Sequence, residues 1–237
     1  MAMRGFLWYQ GCSNSSRDGS GMSEEYRVQM HALYDGWAES FANPNLKLYF
    51  VQLAPFTNWW DIQLAQARFA AEEKNAAMVT SCDVGNVHDI HPNEKGTIGK
   101  RLAALAMRYD YGFNDLVADA PSIRSCKADG EKVTMKFDNA DGWRLYNADW
   151  SVDVAFELAG EDGQWHHANL LNKNGGHTKT VPWKTGGDIE GGQLIILAPG
   201  VARPVKVRYL YEKPWAGYLY SSHGIPLGPF EADVARP

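Results

Sequence analysis

The sequence predicts an α/β chain in two units: a parallel sheet flanked by helices over residues 1–113, then an antiparallel β-sandwich over residues 114–237. Two observations carry this. In the first stretch, apolar runs of strand length alternate with amphipathic helical segments, the order that builds parallel strands joined by helical crossovers. Past about Asp115 the helical period gives way to short β-rich runs separated by Gly, Asn and Asp turns. No repeat or low-complexity tract interrupts either pattern.

Element by element, Gly5 to Gln10 reads as a buried strand, followed by a polar loop from Gly11 to Gly21. Ser23 is placed to cap a helix, with Glu24 and Glu25 set against the positive end of its dipole. Tyr26, Met30, Leu33, Tyr34, Trp37 and Phe41 recur at helical spacing, and Asn43-Pro44-Asn45 ends that helix. Leu46 to Leu53 is the second strand, Asp61 to Lys74 the second helix and Ala77 to Cys82 the third strand. A third helix, from about Glu94 to Tyr109, carries Ile98, Leu102, Leu105 and Tyr109 on one stripe and ends at Gly112. Beyond it, the runs 132–137, 152–157, 194–197 and 205–209 alternate with period two. Asp129-Gly130, Asp141-Gly142 and Asp162-Gly163 are turn dipeptides between such runs.

A parallel sheet is normally buried on both faces and rarely stops at three strands. The uninterrupted apolar strand at Gly5 to Gln10 has the composition of a central strand, and left uncovered it is an aggregation-prone edge. Additional chain before residue 1 or a second polypeptide, a homo-oligomer included, is therefore expected against it.

Composition excludes several classes. With 45% hydrophobic and 12% aromatic residues, 237 residues can bury one large core or two modest ones. A formal net charge of -5 argues against nucleic acid or an anionic membrane as partner. No apolar run approaches the roughly 20 residues of a membrane span, and no signal peptide is expected within this chain, which leaves localisation unspecified. Cys12, Cys82 and Cys126 read as ordinary thiols without zinc-ligand spacing. His88 lies three residues before His91, but no third ligand at sensible spacing follows, so no metal is expected.

The chemistry points to the rim at the carboxyl ends of the strands, where α/β sheets place their sites. Asp89-Ile90-His91-Pro92 sets a carboxylate beside an imidazole on a loop after the third strand, the orienting half of a hydrolytic relay. Gly11 and Asn14, after the first strand, offer a backbone N–H and a side-chain amide as oxyanion donors. Taken singly, Gly11 to Asn14 is also a plain polar turn and His91 a locally bonded histidine at a helix start. Asp83 is the fallback for the acid. Trp59-Trp60 is either core or a sugar-stacking platform, and His166-His167 is partly exposed strand surface.

Leu7-Trp8-Tyr9-Gln10-Gly11 with Ser13-Asn14, Gln52 to Phe56, Asp83-Val84-Gly85 leading into Asp89-Ile90-His91-Pro92, and Gly99 to Ala103 together resemble the sialate O-acetylesterase family. The likeness resumes at Val207-Arg208-Tyr209, Leu219-Tyr220 and Gly224 to Phe230. These are carbohydrate acetylesterases of the SGNH-hydrolase class. The resemblance implies the latter part of a flavodoxin-like hydrolase domain followed by a β-sandwich, with an acetylated carbohydrate as substrate and no cofactor. It implies His91 as base, Asp89 as orienting acid, Gly11 and Asn14 at the oxyanion, and Gln10 and Gln66 toward substrate; Trp59, from its place near the rim, is the further candidate for substrate contact. The family's Gly-Gln-Ser-Asn nucleophile segment is absent, Cys12 replaces a glutamate, and Gln63 stands where arginine is common. Three sources of the nucleophile stay open: a serine outside this chain, Ser13 in its Gly-Cys-Ser-Asn turn, or a Cys12 thiolate. A non-catalytic carbohydrate-binding or scaffolding protein is the rival from another class.

Overall fold

Three parallel strands, β1 (Gly5–Trp8), β2 (Lys47–Gln52) and β3 (Ala76–Thr80), form a sheet in that spatial order. The computed structural model describes residues 3–15, 23–56, 59–86, 89–146, 154–171, 192–212 and 218–236. The chain divides into two units, Met1–Asp119 and Ala120–Pro237; the pattern change in the sequence falls slightly earlier, after residue 113.

β2 is the centre of the first unit, pairing β1 through Gly5↔Lys47 and β3 through Leu48↔Ala76. Successive side chains of a strand point to opposite faces, and β2 uses both. Leu48 and Phe50 pack with Tyr26, Met30 and Tyr34 of α1 (Ser23–Ser40) and Ile62, Ala65 and Phe69 of α2 (Trp60–Glu72). Tyr49 and Val51 pack with Ile98, Leu102 and Leu105 of α3 (Lys95–Asp110). Helices thus cover both faces, as the alternating pattern requires. α3 starts where the Glu94 side chain accepts the Thr97 N–H at 2.8 Å, an N-cap that the sequence marks only by an acidic residue. α1 begins at Ser23 itself, whose side chain lies outside the described residues.

The apolar first strand lies at an edge. Among the described residues β2 is its one strand partner. Phe6 and Trp8 are packed on Trp37, with ring centroids 4.0 and 5.6 Å away, but Leu7 on the opposite face is 62% exposed.

The second unit is antiparallel. Its strands are β4 (Ser122–Asp129), β5 (Lys132–Asp138), β6 (Trp143–Tyr146), β7 (Phe156–Ala159), β8 (Trp165–Leu171), β9 (Gln193–Leu197), β10 (Lys206–Tyr209), β11 (Tyr218–Ser221) and β12 (Phe230–Asp233). Seven of them form one sheet, ordered β12-β10-β7-β8-β9-β5-β4, and β6 pairs β11 in a ribbon. The sheet curls until its ends meet: Ala128 N–H donates to the Ala235 carbonyl and Ala235 N–H to the Cys126 carbonyl, each at 2.9 Å. The ribbon packs on the sheet through Trp143 against Phe137, 5.0 Å between centroids, and Leu219 N–H donates to the Tyr209 hydroxyl at 3.1 Å. The two layers expected of a sandwich are therefore a curled sheet and a short ribbon. Of the run expected at 152–157, residues 152 and 153 lie outside the described residues and the strand occupies Phe156–Ala159. His166 and His167 fall on β8, the second of them exposed.

Candidate active site

The turn after β1 is anchored from below. The Gln10 carbonyl accepts from the Tyr26 hydroxyl at 3.0 Å and from Gln66 Nε2 at 3.1 Å. Gly11 follows with φ +141°, and a Cβ there would lie 3.0 Å from Ile62 Cγ2. A glycine is needed on both counts. The chain then makes one 3-10 turn, Cys12–Asn14, closed by Asn14 N–H donating to the Gly11 carbonyl at 2.9 Å. Asn14 is oriented by its neighbours: Oδ1 accepts from Gln10 Nε2 at 2.6 Å, and Nδ2 faces Gln29 Oε1 at 3.4 Å. With its carbonyl occupied and one N–H directed at Gln29, the Asn14 amide has its second N–H for another acceptor. Ser13 is exposed, and among the described residues no hydrogen bond joins it to His91.

Gln66 and Trp59, expected at the substrate, lie inside the core. Gln66 Oε1 accepts Leu53 N–H at 2.9 Å while Nε2 donates to the Gln10 and Val51 carbonyls at 3.1 and 3.3 Å. Its amide ties the ends of β1 and β2 together, positioning the turn rather than facing solvent. Gln63 works in the same way, donating to the Leu53 carbonyl at 3.0 Å. Trp59 is buried against Phe56 at 4.8 Å, so of core and stacking platform the structure shows core. Gln10, half-buried, remains at the rim through its bond to Asn14.

The loop after β3 is fixed at its root by Asp83, whose two carboxylate oxygens each accept from the Arg101 guanidinium at 2.7 Å. Arg101 also donates to the Thr80 carbonyl at 2.9 Å. Gly85 then passes so close to Ala54 that a Cβ would sit 2.6 Å from the alanine methyl. Further along, Asp89 Oδ1 accepts the His91 backbone N–H at 2.8 Å, and His91 Nδ1 lies 3.7 Å from the same oxygen. That is too long for a hydrogen bond. The His91 side chain is 81% exposed and Asp89 49%. Between the two candidate acids, Asp89 stands beside the imidazole and Asp83 is engaged by a guanidinium. His88 lies outside the described residues, among which no group of three or more metal-ligating side chains gathers.

Strand ends and helix start meet around Tyr9. Ser81, just past β3, donates its Oγ–H to the Gln52 carbonyl at 2.8 Å. Lys95 Nζ, at the start of α3, lies 4.6 Å from the centre of the Tyr9 ring. Burial pushes the Cys12 thiol up, against the opposing pull of a backbone hydrogen bond and of Lys95. A thiol held protonated is a poor nucleophile, which weighs against the Cys12 alternative. Neither the Arg101 clamp nor the Tyr9–Lys95 contact carries a local sequence signal, because each joins residues distant in the chain.

An α/β domain with a polar rim at the carboxyl ends of its strands, joined to an antiparallel β unit, is the class this architecture defines. Residues 1–108 match the family of carbohydrate esterases described as sialic acid-specific acetylesterase. Among solved structures, XAC1771, described as a novel carbohydrate acetylesterase from Xanthomonas citri, superposes with a TM-score of 0.80 at 28% identity. The match covers 97% of this chain and 50% of that one, so the chain spans about half the length of that structure. No curated protein sequence matches it. Among the described residues no helix is long and apolar enough to cross a membrane.

Proposed function

We propose that the chain carries the base and the oxyanion donors of a carbohydrate O-acetylesterase, acting on acetyl esters of sialic acid or of an acetylated plant glycan. The observation that carries the reading is the Asp89–His91 loop, with its 2.8 Å and 3.7 Å contacts, within a segment matched by the carbohydrate esterase family. In this mechanism a serine hydroxyl adds to the acetyl carbonyl as His91 Nε2 takes its proton. Asp89 holds the imidazole by Nδ1 and stabilises the imidazolium. Gly11 N–H and Asn14 Nδ2 receive the oxyanion. The bond to the sugar oxygen breaks as His91 returns the proton to it. Water, deprotonated by His91, then cleaves the acetyl-serine to acetate and restores the hydroxyl.

The serine is assigned to polypeptide outside these 237 residues. Support comes from the half-length match to XAC1771, from β1 having β2 as its one strand partner among the described residues, and from the raised Cys12 thiol. Ser13 is the in-chain alternative. Strands from another segment or a second chain, a second copy included, are the proposed cover for β1.

The test is acetate release from an O-acetylated sugar by the polypeptide as its host makes it. His91→Ala is expected to lower the rate by at least about 100-fold. Undiminished hydrolysis by that variant overturns the reading, and a comparable loss in Ser13→Ala moves the nucleophile into this chain.

A further inference from the structure

We infer that Gln29 is a positioning residue of the oxyanion site, one that keeps the Asn14 side-chain amide from turning its oxygen toward the reacting carbonyl. The carboxylate of Glu25, behind Gln29, fixes the direction in which it does so. This rests on the esterase reading above, in which Asn14 receives the oxyanion.

Four side chains form a row of hydrogen bonds that runs one way. Gln10 Nε2 donates to Asn14 Oδ1 at 2.6 Å, Asn14 Nδ2 to Gln29 Oε1 at 3.4 Å, and Gln29 Nε2 to Glu25 Oε1 at 3.0 Å. Glu25 and Gln29 are four residues apart on α1, the spacing that sets side chains one above the other on a helix face. The same helix holds the root of the turn, because the Tyr26 hydroxyl donates to the Gln10 carbonyl at 3.0 Å. The turn and this stretch of α1 are thus one assembly. Both Glu25 and Gln29 are exposed, so exchanging them leaves the core untouched.

Direction matters because the two ends of an amide differ: the oxygen only accepts and the NH2 only donates. A half-turn of the Asn14 amide would bring its oxygen against Gln29 Oε1 and its NH2 against the Gln10 NH2. It would also set a carbonyl oxygen where the oxyanion needs a donor. Gln10 and Gln29 are amides as well, so three amides alone could turn in concert and reverse the row. An ionised carboxylate prevents this. It has no proton to give, so Glu25 accepts from the NH2 of Gln29 and from nothing else that Gln29 offers. Gln29 Oε1 is then left facing Asn14, and every bond as far as Gln10 follows.

The experiment is a double-mutant cycle on acetate release from an O-acetylated sugar by the polypeptide as its host makes it. Values of kcat and KM are determined for Gln29→Met, Asn14→Ala and the two together. Asn14→Ala should lower kcat by about 100-fold or more. Gln29→Met should lower kcat by roughly threefold to tenfold. Its KM should stay within about twofold of wild type, because the oxyanion exists only in the transition state. In the Asn14→Ala background the Gln29 change should have no further effect, since the group it positions is gone. The exchanged pair, Glu25→Gln with Gln29→Glu, keeps an acceptor toward Asn14 and a donor behind it, and should return kcat to within about twofold of wild type. A kcat unchanged by Gln29→Met, or a loss that persists in full without the Asn14 amide, overturns the positioning role and leaves the esterase reading standing. An exchanged pair no better than Gln29→Met overturns the part given to Glu25. Undiminished turnover in Asn14→Ala, or no acetate release by the unmodified protein, takes the esterase reading down together with the role of Gln29.

Discussion

Arg101 grips Asp83 with two hydrogen bonds of 2.7 Å while the arginine and aspartate side chains are only 12% and 8% exposed. The pair joins the end of β3 to α3, at the root of the loop that bears Asp89 and His91. Removing one partner takes a bidentate, charge-assisted pair away from a side chain that is largely shielded from water. Arg101→Met is therefore expected to cost about 3–5 kcal/mol, read from urea unfolding followed by circular dichroism. Asp83→Asn should destabilise in the same assay. If Asp83 oriented the catalytic imidazole instead, its amide variant would unfold near the wild-type midpoint and lose only turnover.

Gln66 makes a second prediction about support. Its buried amide satisfies Leu53 N–H and two carbonyls, Gln10 and Val51. Gln66→Leu keeps much of the volume but strands those backbone groups, at an expected cost of roughly 2–4 kcal/mol. Amide exchange at Leu53 should rise in the variant. Unchanged stability would mean that another group takes over these bonds.

Gly11 has φ +141° and no room for a Cβ beside Ile62 and Leu53. Gly11→Ala should lower stability by about 1–3 kcal/mol through backbone strain. It should also slow acetate release, because the turn carrying Asn14 starts at this residue. A variant with wild-type Tm and rate would show that the turn tolerates another backbone shape.

Glu72 gives a pH-dependent expectation. His31 first, and Arg27 second, hold its carboxyl below the ordinary value of 4.5. A carboxylate with a depressed folded-state pKa stabilises the fold above its unfolded value and loses that contribution as the pH falls through the folded value. The Glu72 side chain is 44% exposed, so solvent screening limits the effect to roughly 0.5–1 kcal/mol. Glu72→Gln should thus be less stable than wild type near neutrality. The difference should fade as the pH drops below 4.5 and shrink in salt. A gap that persists in acid would assign the effect to packing.

The alternation of strands and helices was legible because each element buries one face, and β2 shows why: Leu48 and Phe50 serve one side, Tyr49 and Val51 the other. The edge position of β1 was legible only as a difficulty, since its composition is that of a central strand. Asp89 and Asp83 could not be separated by spacing; Arg101, far along the chain, distinguishes them in space. Gln66 matched a family position, yet a glutamine amide serves equally well to bind sugar hydroxyls or to close strand ends, and only burial tells these apart.

The central claim is that Gly11, Asn14 and His91 serve one reacting carbonyl. Titrating an O-acetylated sugar into isotope-labelled protein tests it without depending on where the nucleophile resides. The account predicts that the Gly11 amide, the Asn14 side-chain amide and the His91 ring shift together along a single binding curve. Shifts confined to one of these groups, or groups following separate curves, would contradict it.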